Sequence, residues 1–433
     1  MKLGNASGII RRDAGAEGRE RGSAAVLLTV LFAGLILLAA VMFAASKEAA
    51  NRSRADAALQ VAGRSILSEY DRKLNEDYGL FAFKGDGARA EKDIAFYADA
   101  GLKRDKTAYL SFIEQGAKIS VFDSEVSAVN VNLKEFSVAN ADIFEAQINA
   151  AALTESIKRR SESSEDSGQA RRTLRNESVI ESLPSKGLSD GFFSNLSRAS
   201  IPTLGEVADR AGDGFLTSEY IINVFNHANG GIKRADTFFG NEIEYILSGK
   251  MSDDANYRSV RANISLIRFF LNNEAFLKDP EKMRKVKELA VMFAPVYAVG
   301  EPAAELIITE AWILAETKND MLLLEDGRNV AMFKNANTWA IQDIKGILDG
   351  VFLGGPEIPI DPGGQSYEDY LRILLFLADR EAKLLRAMDL IQLNMKGTYD
   401  SAFQLREYYA GFRFEATVDG KTYVYTERYD GDE

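Results

Sequence analysis

The apolar positions of this chain fall into two regimes. From Ala24 to Ala45 the sequence AAVLLTVLFAGLILLAAVMFAA is an unbroken, uncharged run of 22 residues, long enough to cross a bilayer as one helix. Beyond it the pattern becomes amphipathic: Leu59, Ala62, Ile66, Tyr70 and Leu74 recur at three- and four-residue steps, with no Pro and one Gly between Lys47 and Asp77. This predicts one continuous helix from Ala24 to about Asp77, roughly 80 Å long at about 1.5 Å per residue, with the five stripe residues as a packing face outside the membrane.

The remaining pattern predicts a helix-rich α+β body. Tyr78 to Phe83 reads as a short buried strand, Asp93 to Leu102 as a helix, Ile119 to Phe136 as two strands, and Ala141 to Arg160 as a helix. Residues 161–191 are polar, mixed in charge and nearly free of large apolar side chains, and so read as an exposed linker. After it come amphipathic stretches at Ser218 to Asn229, Asp253 to Leu277, Pro280 to Tyr297 and Pro302 to Leu324, with a strand-like Glu242 to Leu247. Tyr367 to Met395 predicts the strongest helix, opened by a capping-box-like Ser366 and Asp369. Its many charges exclude a second membrane span. A hairpin closes the chain, Tyr409 to Val418 and Lys421 to Tyr429 about Asp419-Gly420. The domain plan is therefore a leader at 1–23, a transmembrane helix at 24–45, a membrane-proximal α+β unit at 46–160, the linker at 161–191 and a helix-rich distal domain at 192–433.

Charge orients this plan. Lys2, Arg11, Arg12, Arg19 and Arg21 precede the apolar run against Lys47, Arg52 and Arg54 after it, which predicts a cytoplasmic N-terminus and an extracytoplasmic body. The absence of Cys from 433 residues fits an oxidising exterior. A net charge of -12, with the basic residues of the leader set apart, argues against nucleic acid and anionic lipid surfaces as partners of the body and leaves the bilayer, through 24–45, as the first expected one.

Candidate chemistry is sparse. With one histidine, His227, and no Cys, the chain cannot by itself supply Cys-His catalysis, a His-pair zinc motif or iron–sulfur ligation. It contains no phosphate-binding glycine loop. Gly187-Leu-Ser-Asp-Gly191 has the letters of a nucleophile elbow around Ser189, but a polar linker is the wrong context, since an elbow needs a buried strand before it and a helix after it. His227 reads as a helix-end residue with local hydrogen bonds. The acidic pairs Glu242/Glu244 and Asp253/Asp254 match no Ca²⁺ loop, and Asp253/Asp254 read as helix-start acids that complement the dipole. The turn-rich loop Gly354 to Gly364 reads as a rigid connection. We therefore expect no catalytic residue, no metal ligand and no cofactor.

Two resemblances add company to this outline. Arg19-Glu-Arg-Gly-Ser23 followed by Ala24-Ala-Val-Leu-Leu28 resembles the leader and cleavage site of type IV prepilins and Tad/Flp pseudopilins, implying processing between Gly22 and Ser23; the fifth position from Ser23 is Leu27, where those proteins usually carry Glu. Four blocks, Leu67 to Phe83, Asn241 to Lys250, Trp312 to Asp320, and Ser366 to Leu375 running into Arg386 to Asn394, resemble a family of single-span proteins from Clostridia and Bacilli, often encoded with Tad/Flp-type pilus components. The resemblance implies a non-enzymatic, membrane-anchored extracytoplasmic protein, an accessory or minor pilin-like part of a pilus or secretion apparatus, with other apparatus proteins as partners and homo- or hetero-oligomers formed through the long helix. The competing expectation is a cell-envelope enzyme or ligand-binding sensor with an acidic cleft.

Overall fold

The computed structural model describes residues 17–103, 124–153, 182–186, 213–342 and 363–429. Among these the protein is helix-rich α+β, and its chain divides into two compact units that interleave along the sequence. Unit 1 takes Met1–Ser68, Gly87–Val131 and Arg413–Thr426; unit 2 takes Glu69–Asp86, Asn132–Phe412 and Glu427–Glu433. This corrects the expected serial plan of 46–160 and 192–433, because the C-terminal hairpin pairs with a strand from the first third of the chain.

Unit 1 is built on α1 (Glu17–Leu67), 51 residues long. It contains the one described helix long and apolar enough to cross a membrane, and the large apolar side chains from Val26 to Phe43 are all exposed. Past them the environment changes: Ala55, Leu59, Ala62 and Ile66 are buried at alternating four- and three-residue steps. Their partner is α3 (Gly87–Lys103), which buries Ala90, Ile94, Ala98 and Leu102. The helices approach closely where Gly101 meets Ala58; a Cβ on Gly101 would lie 3.3 Å from that of Ala58.

The rest of unit 1 is a three-stranded sheet in the order β2 (Val126–Asn132), β4 (Gly411–Val418), β5 (Lys421–Arg428). Asp419 and Gly420 both have positive φ, 51° and 76°, as a two-residue type I′ hairpin requires. Phe414 and Tyr425 stack on one face, where the Tyr425 hydroxyl donates to Asp56 and Lys421 pairs with Glu48, both on α1. Of the region 119–136 expected to hold two strands, 119–123 lies outside the described residues, and the rest forms β2 followed by a 3-10 turn at Lys134–Phe136.

The expected helix to Asp77 stops ten residues early. The hydroxyls of Ser65 and Ser68 donate to the carbonyls of Val61 and Ser65, satisfying the last turn of α1. The carboxylate of Asp71 then accepts from Leu74 N at 3.0 Å and starts a separate helix, α2 (Arg72–Tyr78). The proposed stripe is therefore divided, with Leu59, Ala62 and Ile66 in unit 1 and Tyr70 and Leu74 in unit 2, where Leu74 is buried.

Unit 2 surrounds one large apolar cluster formed by α2, α4 (Ala141–Leu153), α5 (Asp213–Val224), α6 (Glu242–Ser248), α7 (Asp253–Leu277) and, near its end, α10 (Tyr367–Leu377) and α11 (Arg380–Thr398). A second cluster lies among α7, α8 (Pro280–Val296) and α9 (Glu301–Glu325) around Phe276 and Trp312. The buried run at 78–83 yields only β1 (Phe83–Lys84), antiparallel to β3 (Tyr408–Tyr409), with Leu80 and Ala82 buried in irregular backbone. α5 precedes the helix expected at Ser218 to Asn229, which ends at Val224.

Two further expectations fail for identifiable reasons. Glu242 to Leu247 is helical, since α6 is buried on every side and shows no 3.6-residue pattern; Gly249 at φ 69° closes it, and any Cβ there would strike Arg386. Tyr367 to Met395 is broken between α10 and α11, where Ala378 is extended and Asp379 caps the second helix through Ala382 N. The Ser366–Asp369 capping box is present in full. Of the expected linker, 182–186 is described and is tied down: Leu183 is buried, Ser185 N donates to Asp389, and Gln392 donates to Ser182 O.

The α1–α3 contact yields a direct test. Leu59→Ala should cost about 3 kcal/mol locally by leaving a cavity against α3, read as faster amide exchange across both helices; unchanged exchange in α3 would contradict the pairing.

Candidate functional site

Residues 225–241 run between α5 and α6 without regular structure, so their main-chain amides need partners from side chains. Two carboxylates on the first turn of α6 supply them. Glu242 accepts from Asn226 N at 2.9 Å with one oxygen and from Asn394 Nδ2 at 2.7 Å with the other. Glu244 Oε1 accepts from Ala228 N at 3.0 Å and from the Tyr367 hydroxyl at 2.9 Å. The Asn226 side chain extends the network inside the segment, accepting from Lys233 N and Arg234 N and donating to Arg234 O. Asn394 Oδ1 takes Phe238 N, and Asp253 takes Gly240 N and Asn241 N. Lys233 Nζ donates to Phe225 O, closing the end of α5, and Arg234 pairs with Asp77 at 2.8 Å while lying over the Tyr78 ring.

Several groups in this network are perturbed. Burial pushes the Glu242 carboxyl up to about 7, against the pull of Asn226 N, Asn394 and the Arg234 guanidinium. Burial also raises Glu244, and it lowers His227, helped by the Lys233 ammonium and opposed by Glu368. A carboxyl titrating near neutrality is what general acid–base chemistry uses. Here both oxygens of Glu242 already hold N–H donors, which is the geometry of a structural clamp.

The remaining predicted residues fall as follows. His227 Nε2 meets Glu368 Oε2 at 3.2 Å and its ring stacks on Tyr367, so its partner is on α10 and not local as expected. Asp253 does sit at a helix start, but it binds main-chain amides of the preceding loop in addition to facing the dipole. Gly22 and Ser23 fall inside α1. Gly187 to Gly191, with Ser189, and residues 354–362 lie outside the described residues; Gly364 packs on the Val330 backbone. Among the described residues no group of three or more His, Asp or Glu is placed to hold a metal ion.

A second buried network escaped sequence reasoning. Arg268 on α7 donates to Asp320 on α9 at 2.8 and 3.0 Å, both side chains fully buried, and also to Ala331 O, Met332 O, Asn272 and the Tyr370 hydroxyl. Lys334 pairs with Asp320 and Glu316, and Glu316 in turn accepts from Ala340 N and Ile341 N. Two cations balance two carboxylates, and the product is a pinned loop after α9. The signal was present, since Asn256, Val260, Ile264, Arg268, Asn272 and Phe276 are buried at four-residue steps, placing a charge on an otherwise inward stripe.

Apart from Asp77 and Tyr78, both networks lie within residues 150–420, which match a family of unknown function, DUF5702. The chain belongs to this family. No curated protein and no solved structure matches it. The DUF5702 region carries α5 to α11, while α1 and its apolar half lie before it.

The Glu242 clamp makes a signed prediction. Its folded-state pKa of about 7 lies above the ordinary 4.5, so the folded chain holds more protons between those values and stability falls as pH rises through that window. The unfolding free energy of the wild type minus that of Glu242→Gln should drop by about 3 kcal/mol from pH 4.5 to 8. A difference that grows with pH would show that the fold prefers the ionised carboxylate.

Proposed function

We propose that this DUF5702 protein is a membrane-anchored, non-enzymatic assembly component with its body outside the cytoplasm, acting as an accessory or minor pilin-like part of a Tad/Flp-type pilus or secretion apparatus. The observation that carries the reading is α1: a helix whose first half exposes apolar side chains all round and whose second half buries a stripe against its own body. Because α3 covers Leu59, Ala62 and Ile66, like helices would meet through Ala24 to Ala45, in the bilayer, and not through the outer stripe first expected to do so. Gly34, with open space around it, is a point of close approach for such a neighbour. The leader resemblance adds processing between Gly22 and Ser23 to this reading.

The enzyme or sensor alternative would rest on Glu242, Glu244 and His227. What weighs against it is that both oxygens of Glu242 and Oε1 of Glu244 are engaged in holding the main chain, Tyr367 and Asn394; what favours it is that Glu244 Oε2 and His227 Nδ1 are buried without a partner.

The absence of native Cys makes the test clean. Single cysteines scanned from Val26 to Val41 in native membranes should give disulfide-linked adducts, to a second copy or to another apparatus protein, that recur with a helical period. Monomeric chains at every position would sink the assembly reading.

A further inference from the structure

At the turn joining α8 to α9, Val291, Met292, Val296, Tyr297, Leu306 and Ile307 all face solvent, Val296 by 76%. Residues 289–300 contain no charge, in a chain where 27% of residues are charged. The opposite side of the corner is locked in the core through Ala290, Ala294, Ala304 and Ile308, so these apolar groups are held outward by packing. The corner is held by local backbone bonds, Tyr297 N to Phe293 O, Val299 N to Ala294 O and Ala304 N to Gly300 O, which fix the turn that carries these side chains. Tyr297, stacked on Phe293 at 4.1 Å, places an amphipathic ring at the apex, the residue type favoured at membrane interfaces.

The flanks complete the match. Lys285, Lys287 and the Arg284–Glu288 pair lie on α8, and Glu301 and Glu305 on α9, so the neutral apex has shoulders of both signs, complementary to hydrocarbon beneath a headgroup layer that itself carries both. The two helices together are apolar enough for a membrane span, but the chain bends by 117° between them. That shape gives a convex wedge.

We propose that the α8–α9 corner docks into the interfacial layer of a lipid bilayer, as a membrane contact additional to the apolar half of α1. The proposal draws on the anchored reading only for the nearness of a bilayer. A corner found in water would leave that reading standing, because the probe sits on α8 and reports nothing about α1.

The test uses the full chain in phosphatidylcholine proteoliposomes with Val296→Cys carrying an environment-sensitive fluorophore, and Asn337→Cys, on an exposed loop, as reference. The label at 296 should emit at shorter wavelength than at 337, resist aqueous iodide, and be quenched by nitroxide lipids about 5–10 Å below the headgroups. The shielding should survive high salt, since the apex is uncharged. Adding Met292→Glu, at another exposed position, should restore iodide access without unfolding. Equal, water-like signals at 296 and 337 would overturn the proposal, as would shielding from iodide without nitroxide quenching, which would mark a protein contact.

Discussion

An irregular segment of main chain cannot be buried unless each amide finds an acceptor, and in this protein the acceptors are carboxylates and carboxamides projected from neighbouring helices. Glu242 and Glu244 on α6, Asp253 on α7 and Asn394 on α11 together fix residues 226–241, so one loop orients the two helices that follow it and a third from near the end of the chain. The Arg268–Asp320–Lys334–Glu316 group does the same for the loop after α9. Such groups add little net stability over an apolar core, yet removing one partner leaves an uncompensated buried charge and costs about 3–5 kcal/mol. Their effect is to make one packing of the helices far better than its competitors.

This constraint also bears on chemistry. Perturbed carboxyls cluster at functional sites and in structural networks alike. The distinction here comes from what the oxygens touch: main-chain N–H groups for Glu242, Glu244, Asp253 and Glu316, and cationic or amide side chains for Asp320. Glu242, with a donor on each oxygen, is committed to holding its neighbours in place, whereas Glu244 leaves its Oε2 buried without a hydrogen-bond partner.

Much of the fold was legible in the sequence where one side of an element meets solvent. α7, α8 and α9 follow their predicted limits within a residue or two, and Asp419-Gly420 forms the expected hairpin turn, because a half-exposed helix or a tight turn leaves a local signature. α6 was misread because burial on all sides erases periodicity, and the α10–α11 break was overlooked because the apolar stripe continues across it while only Asp379 marks the new start. The end of α1 was hidden in the same way, by a stripe that runs on through Tyr70 and Leu74 into another unit. Glu242, Glu244 and His227 each have a partner more than one hundred residues away, Asn394, Tyr367 and Glu368 respectively, and no local pattern encodes them.

The account rests on α1 passing from lipid to protein surroundings near Ala45, with the body outside the cytoplasm. The most direct measurement is labelling of single cysteines by a membrane-impermeant thiol reagent on intact cells, comparing Thr422→Cys on the exposed face of β5 with Ser7→Cys in the leader. The account predicts that Thr422→Cys is labelled on intact cells while Ser7→Cys is not. Labelling at Ser7→Cys with protection at Thr422→Cys until the cells are opened would contradict it.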